Sequence, residues 1–414
     1  MGIYINEITI HRLLDKSNLK IQAHDDGELH HFILTGPNGA GKTTLFNAIA
    51  KSIDEMFKDT HFSFANFKKT LGLCEGLLAK AKQEGKIEDI ENFKNQYDNY
   101  KKLCDELWGT VELPGLNYPE IFAMVRNRKY VIAFFGAERL SHFIQVKSPV
   151  KPDLTQKELR RSKTEEFIKF LVDLKFQQSM ANNEGCKEDV EKIAKWFEGF
   201  ENILKKLFSD DALKLSFDYR NYIFYIEKTG GRFPLTDLSD GYSSALDIVA
   251  DIILKMQDGE NVVRTYDVPG MVFIDEIETH LHLKLQREIL PLLISIFPNI
   301  QFVVTTHSPF VLNSVENAVV YDLKNQETVT DLTDYSYEII TEGYFGVKTE
   351  SDKLRRNIDK LKGLLENKSR TRIEEDDLKR LINSFKSLPD VVAPEIKAQY
   401  HELMIRYAQK TVLV

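Results

Sequence analysis

The chain has 414 residues, 43% apolar and 29% charged, an ordinary globular composition with material for two or three domains. Its net charge of −8 excludes a protein coated in positive charge for nucleic acid, although a local basic groove could still grip phosphates. The three cysteines, Cys74, Cys104 and Cys186, lack CxxC spacing and read as reduced thiols of a cytoplasmic protein rather than a disulfide or zinc framework.

The N-terminus shows no basic region followed by an apolar stretch, so no signal peptide is expected. No apolar run approaches the roughly 18 residues of a transmembrane helix, so no membrane role is expected. Residues 3–10, "IYINEITI", alternate like a strand. A short apolar run at 31–35 leads into "ILTGPNGAGKTT", and a helix is predicted from about Gly41, with Leu45, Ile49 and Ile53 on one face. From about 58 to 112 the texture is charged and helical, with a turn at "QEGK". Strand texture returns over 120–136, "EIFAMVRNRKYVIAFFG".

A second helical block spans 154–208. Phe167, Phe170, Leu171 and Leu174 keep helical spacing, as do Ile193, Trp196, Phe197, Phe200, Leu204 and Leu207, with "NNEG" (182–185) as the turn. Such an aromatic stripe reads as packing. "LKLSFDYRNYIFYIEK" reads as a β-hairpin. From 238 to 323 helix and strand alternate, and the unbroken apolar runs 271–274 and 302–304 suit parallel strands buried on both faces. The last 90 or so residues are charged and mostly helical.

Four motifs carry chemistry. "GPNGAGKTT" fits the Walker A loop GxxxxGK[ST]. Its residues Gly36, Pro37, Asn38, Gly39, Ala40, Gly41, Lys42, Thr43 and Thr44 are the candidate nucleotide cradle. Backbone N–H groups would line the phosphates, Lys42 would reach the β and γ phosphates, and the Thr43 hydroxyl would ligate Mg²⁺. "GMVFIDEIETHLH" (270–282) runs a buried strand into two carboxylates, a Walker B pattern. Asp275 would hold Mg²⁺ and Glu276 would polarise the attacking water, at the carboxyl end of a strand where ligands of α/β sheets bind. "FVVTTHSPFVL" (302–312) ends a neighbouring strand at His307, within reach of a γ-phosphate. "LSDGY" (238–242) opens an amphipathic helix, where Ser239 or Asp240 alone could be an ordinary N-cap.

"LSDGY" resembles the LSGGQ signature of ABC-type ATPases, with Leu238, Ser239 and Gly241 retained, Asp240 in place of a glycine and Tyr242 in place of the glutamine. With the other motifs in order around it, the chain resembles the ABC-type ATPases of the SMC and RecF group. More narrowly it resembles the OLD-like, Septu-like and PARIS-like ATPases of bacterial phage defence, over about 1–55 and 210–325. The phrase Glu278 to His282 after the Asp-Glu pair favours this group over transporter ATPases.

The resemblance implies an α/β fold, an ABC-type P-loop head with a mixed sheet flanked by helices. The head would be built from 1–57, 116–150 and 210–325, interrupted by helical insertions at 58–115 and 151–209 and followed by a helical C-terminal region at 326–414. It implies that ATP and Mg²⁺ are used by a homo-oligomer, at least a dimer. The signature of one copy, Leu238 to Tyr242, would complete the γ-phosphate site of another, with Glu276, Lys42 and His307 catalysing hydrolysis.

The glutamine that the group carries between P-loop and signature has no clear counterpart. Glu138, Arg139 and Gln145, in "FFGAERLSHFIQ" (134–145), are the candidates. OLD-type proteins add a nuclease domain. "YEIITEGYFG" (337–346) suggests half of such a site, but no strand into Asp-x-Asp follows, and "EEDD" (374–377) reads as a solvated helix face. An effector, such as a nuclease, is therefore expected on a separate chain. Basic clusters at 126–129, 157–163, 353–356 and 368–372 leave contact with DNA or a phage component open. Two other classes fit less of the pattern: a DNA repair or recombination ATPase without an effector nuclease, and the nucleotide-binding subunit of a transporter.

Overall fold

The computed structural model describes residues 2–24, 26–58, 63–139, 143–155, 159–257, 263, 266–330, 332, 335–345, 352–367, 369–387 and 394–412. Residues 140–142, 157–158, 346 and 368, parts of stretches read above, lie outside these. The chain divides into two compact units, 1–336 and 337–414.

The first unit opens with β1 (Glu7–Leu13) and β2 (Lys16–Gln22), an antiparallel hairpin turning at Leu14, whose φ is 54°. Then come β3 (His31–Thr35) and α1 (Lys42–Lys58). The charged stretch is the helical hairpin α2 (Ser63–Glu84) and α3 (Ile87–Trp108), turning at Gly85 with φ 71°. After β4 (Val111–Glu112) and α4 (Tyr118–Arg126) the chain enters β5 (Val131–Phe135). The second helical block is α5 (Phe167–Asn183) and α6 (Lys187–Phe208), followed by β6 (Lys214–Asp218), β7 (Ile223–Lys228) and β8 (Gly231–Pro234), a small antiparallel sheet. The alternation read from the sequence follows: α7 (Asp240–Met256), β9 (Gly270–Ile274), α8 (Leu283–Ile296), β10 (Ile300–Thr305), α9 (Pro309–Leu312), β11 (Ala318–Asp322) and β12 (Glu327–Thr330).

The central sheet has the order β12-β11-β3-β10-β9-β5, parallel except at the antiparallel edge strand β12, which makes it mixed. Every residue of β3, β5, β9, β10 and β11 is buried. That is the reason these strands read as unbroken apolar runs, since helices cover both faces of a parallel sheet. On one face, Leu45, Ile49 and Ile53 of α1 and Ile8, Ile10 and Ile21 of the N-terminal hairpin share a core with Phe32, Phe134, Phe273 and Val303. The second unit holds α10 (Tyr337–Phe345), α11 (Asp352–Glu366), α12 (Arg372–Lys386) and α13 (Pro394–Val412). Its own core joins Ile358, Leu361, Leu378, Phe385, Ile396 and Tyr400. Among the described residues, no helix is long and apolar enough to cross a membrane.

Three expectations change. The strand read at 3–10 begins at Glu7, because Ile5 bonds to a side chain instead of a neighbouring strand. Residues 118–126 form a helix where strand was expected. Asn117 caps it by accepting the Glu120 N–H, Pro119 sits in its first turn, and Ile121, Phe122 and Val125 bury one helical face. Strand β12 falls in the stretch read as helical from 326.

Gln301, 1% exposed on β10, welds the N-terminal segment to the sheet. Its Oε1 accepts the Ile5 N–H at 2.8 Å, and its Nε2 donates to the carbonyls of Ile5 and His30, each at 2.8 Å. Gln301→Leu keeps the volume but strands these three backbone groups. Urea unfolding should show a loss of about 1–3 kcal/mol for each group left unpaired, whereas wild-type stability would show that the weld is idle.

Candidate functional site

The four motif segments lie at the carboxyl ends of β3, β9 and β10 and at the start of α7. The P-loop leaves β3 through Gly36, whose φ of 137° places it in the left-handed half of the map. A Cβ there would lie 3.1 Å from the Ala40 methyl and 3.4 Å from Asp322 Oδ1. Gly41, φ 98°, leads into α1, whose first turn carries Lys42 and the exposed Thr43 and Thr44. Lys42 is 4% exposed and donates to the loop's own carbonyls, Gly36 at 2.7 Å and Pro37 at 3.2 Å. Burial lowers its pKa, and Glu276, Glu278, Asp275 and Asp322 pull the other way.

Lys42 Nζ lies 3.3 Å from His307 Nδ1, and His307 Nε2 lies 3.7 Å from Glu276 Oε1. An ammonium has no lone pair, so Nδ1 accepts and the imidazole proton sits on Nε2, facing the carboxylate. Burial and then the Lys42 charge lower the His307 pKa, against the pull of Glu278 and Glu276. His307 is therefore neutral at neutral pH and presents an N–H rather than a full charge.

Strand β9 runs into Asp275, 2% exposed. Thr305 at the end of β10 bridges the two acidic residues: its hydroxyl donates to Asp275 Oδ1 at 2.5 Å and accepts the Glu276 N–H at 2.7 Å. Glu276 itself has φ 46°, a left-handed conformation that costs a non-glycine residue about 1–3 kcal/mol unless its surroundings enforce it. Glu278 reaches across to the loop after β10 and accepts the Thr306 hydroxyl at 2.8 Å and the His307 N–H at 2.5 Å. The carboxylate turn and the histidine loop are thus laced to each other.

The signature residues have different neighbours. Ser239 holds the N-cap backbone conformation of α7 (φ −64°, ψ 154°) but makes no side-chain capping bond, and both it and Asp240 are exposed. Gly241 packs against the loop after the Asp-Glu pair, where a Cβ would lie 3.0 Å from the His280 carbonyl. The Tyr242 ring stacks on Phe208 of α6 at 4.3 Å. Among the described residues, no hydrogen bond or ion pair joins Leu238 to Tyr242 with the P-loop of the same chain.

Of the three candidates for the missing glutamine, Gln145 is tied to the β6–β7 turn, donating to the Tyr222 carbonyl at 2.7 Å, and Glu138 is exposed. Arg139 is 6% exposed and bonds to the Asp275–Ile277 turn. Sequence reasoning also passed over Asp322, fully buried at the end of β11 behind Gly36. It organises the next turn by accepting the Lys324 N–H at 2.8 Å and the Asn325 amide at 2.7 Å.

The inner face of α7 is charged: Asp247, Asp251 and Lys255 are each under 9% exposed, and Lys255 pairs with Asp251. Burial raises the Asp247 pKa from 3.8 to about 6, against a hydrogen bond from Thr164 and with help from the Asp251 charge. The folded chain therefore binds this proton more tightly than the unfolded chain, and the stability it contributes falls as pH rises from about 4 to about 6. Asp247→Asn removes that slope. Its melting temperature should gain on the wild type across this window, and parallel curves would contradict the assignment.

Residues 132–313 match the family model described as "AAA domain, putative AbiEii toxin, Type IV TA system". Septu protein PtuA of Bacillus mycoides (strain KBAB4) is 25% identical over 421 residues, which cover 98% of this chain and 53% of that protein. The chain thus spans about half the length of that relative. Retron Vc95 probable ATPase of Vibrio cholerae serotype O1 biovar El Tor is 27% identical over 456 residues, 93% of this chain and 83% of that protein. Among solved structures, an Smc head bound to the C-winged helix domain of ScpA aligns with 80% of this chain and 100% of its own, at 14% identity and a TM-score of 0.36. In these comparisons the chain is similar to Septu protein PtuA and to retron probable ATPases.

Proposed function

We propose that the protein binds and hydrolyses ATP with Mg²⁺ at a site shared between two copies, and that this cycle gates a separate effector, such as a nuclease, in cytoplasmic anti-phage defence. The observation that carries the hydrolytic part is the contact line Lys42–His307–Glu276, which sets a cation, a neutral imidazole and a carboxylate side by side at the mouth of the P-loop.

The donors suit magnesium, a hard cation that takes one or two protein oxygens together with phosphate oxygens. Asp275 offers a carboxylate oriented by Thr305, and Thr43 an exposed hydroxyl. The bound metal would supply charge neutralisation at the β and γ phosphates. Lys42 exchanges its loop carbonyls for phosphate oxygens. Glu276 accepts a proton from the attacking water as its oxygen bonds to the γ-phosphorus. The bond from that phosphorus to the β–γ bridging oxygen breaks, and ADP departs with that oxygen. His307 donates from Nε2 to a γ-phosphate oxygen.

The composite site is supported by the exposure of Ser239 and Asp240 at the N-terminus of a 17-residue helix, a place suited to receiving a phosphate. The role in defence, the effector and any contact with DNA or a phage component rest on kinship with the Septu and retron ATPases.

Glu276→Gln should lower turnover by about 10²–10⁴-fold, the range of a lost general base, while ATP stays bound. Undiminished hydrolysis would remove Glu276 from this role. Ser239→Arg should abolish turnover yet leave nucleotide binding by the chain's own P-loop intact, and full activity would sink the shared site.

A further inference from the structure

Arg139 holds a position that the hydrolytic reading does not use. It follows β5, the edge strand beside β9, and is 6% exposed. Its guanidinium donates to three consecutive carbonyls, Asp275 at 2.9 Å, Glu276 at 2.9 Å and Ile277 at 3.2 Å. It reaches the Gly136 carbonyl at 3.4 Å as well, and its Nε donates to Ser244 Oγ at 3.3 Å.

Successive carbonyls of an extended strand point to opposite sides. Here three converge on one cation because Glu276 is left-handed, with φ 46°. Three carbonyl oxygens facing one point, buried or part-buried, need donors. A planar fork with five N–H groups can serve them all, whereas a lysine offers a compact point charge with three. The Nε bond goes to the signature helix, since Ser244 lies in α7 five residues after Ser239. One side chain therefore touches both the turn that carries Glu276 and the helix that carries "LSDGY".

We infer that Arg139 is a positioning residue for hydrolysis: it holds the Asp275–Ile277 turn in the conformation that aims Glu276, and through Ser244 it ties that aim to the position of the signature helix. The inference rests on Glu276 being the base that activates water. It assigns no substrate contact to Arg139, which acts only through the turn.

The test uses the full chain with Arg139→Lys, which keeps the charge and loses the fork, and Ser244→Ala, which removes only the tie to α7. For Arg139→Lys, kcat should fall about 100-fold, the effect of a misplacement of about 1 Å at a reacting group. The KM for ATP and the affinity for a fluorescent methylanthraniloyl ATP should stay at wild-type values, while the melting temperature falls because a lysine leaves some of these carbonyls without a donor. Ser244→Ala should lower kcat by less and leave the KM, the affinity for that nucleotide and the melting temperature unchanged. The double variant Arg139→Lys with Glu276→Gln should be no slower than Glu276→Gln alone, because positioning a base that is absent has no effect. Wild-type kcat in Arg139→Lys would overturn the inference. So would a parallel loss of kcat and of nucleotide affinity, the mark of damage beyond the turn. Full turnover in Glu276→Gln alone would instead overturn the assignment of the base on which the inference stands.

Discussion

Glu276 leaves a fully buried strand with its backbone in a conformation that glutamate seldom adopts, and the arrangement of the site depends on that turn being held. Three groups hold it. The Thr305 hydroxyl takes the Glu276 N–H, the Arg139 guanidinium gathers the carbonyls from Asp275 to Ile277, and the Thr279 N–H donates back to the Glu276 carbonyl at 2.9 Å. Each comes from a different place: the neighbouring strand β10, the loop after the edge strand β5, and the turn itself. A parallel sheet allows this, because all its strands end on the same side and their loops meet there.

The same convergence concentrates charge. Lys42, His307, Asp275, Glu276 and Glu278 lie in one small volume, where burial lowers the pKa of Lys42 and of His307 and the three carboxylates pull both the other way. The result is a neutral imidazole wedged between an ammonium and a carboxylate. Preorganised groups of this kind need little rearrangement as charge develops on a transferring phosphoryl group. The charged inner face of α7 extends the polar region away from the site. Asp251, 1% exposed, accepts the Lys163 N–H at 2.7 Å, and Lys255 donates to the Arg161 carbonyl at 3.2 Å. The helix that opens with "LSDGY" is thus bonded to the chain just before α5 directly and to the Asp275–Ile277 turn through Arg139.

What could be read from the residues alone was whatever shows as a local pattern. Unbroken apolar runs marked β9 and β10, and glycine spacing marked the P-loop. Helical periodicity marked α1, α5 and α6, and the order of the motifs marked the fold class. The N-terminal hairpin was only half visible, since "KSNLKIQ" alternates weakly and its partner is set by pairing register rather than composition. Helix α4 was masked by apolar residues that suit either state, and its cap at Asn117 was the available signal. Arg139 was noticed only as one of three candidates for the missing glutamine. Its role depends on a left-handed turn 137 residues away, which no spacing rule reports. Gln301 was passed over for the same reason, since its partners lie at Ile5 and His30; Asp322 bonds locally to Lys324 and Asn325, and only its place behind Gly36 is distant in sequence.

The central claim is that a nucleotide site assembled in one chain is finished by another. The most direct test is the steady-state ATPase rate of the purified wild-type chain, per molecule, over a wide range of protein concentration with saturating ATP and Mg²⁺, with the oligomeric state followed in parallel by light scattering. The account predicts a specific activity that rises with concentration and levels off as nucleotide-bound dimers saturate. A constant specific activity extending down to concentrations at which scattering reports monomers would contradict it.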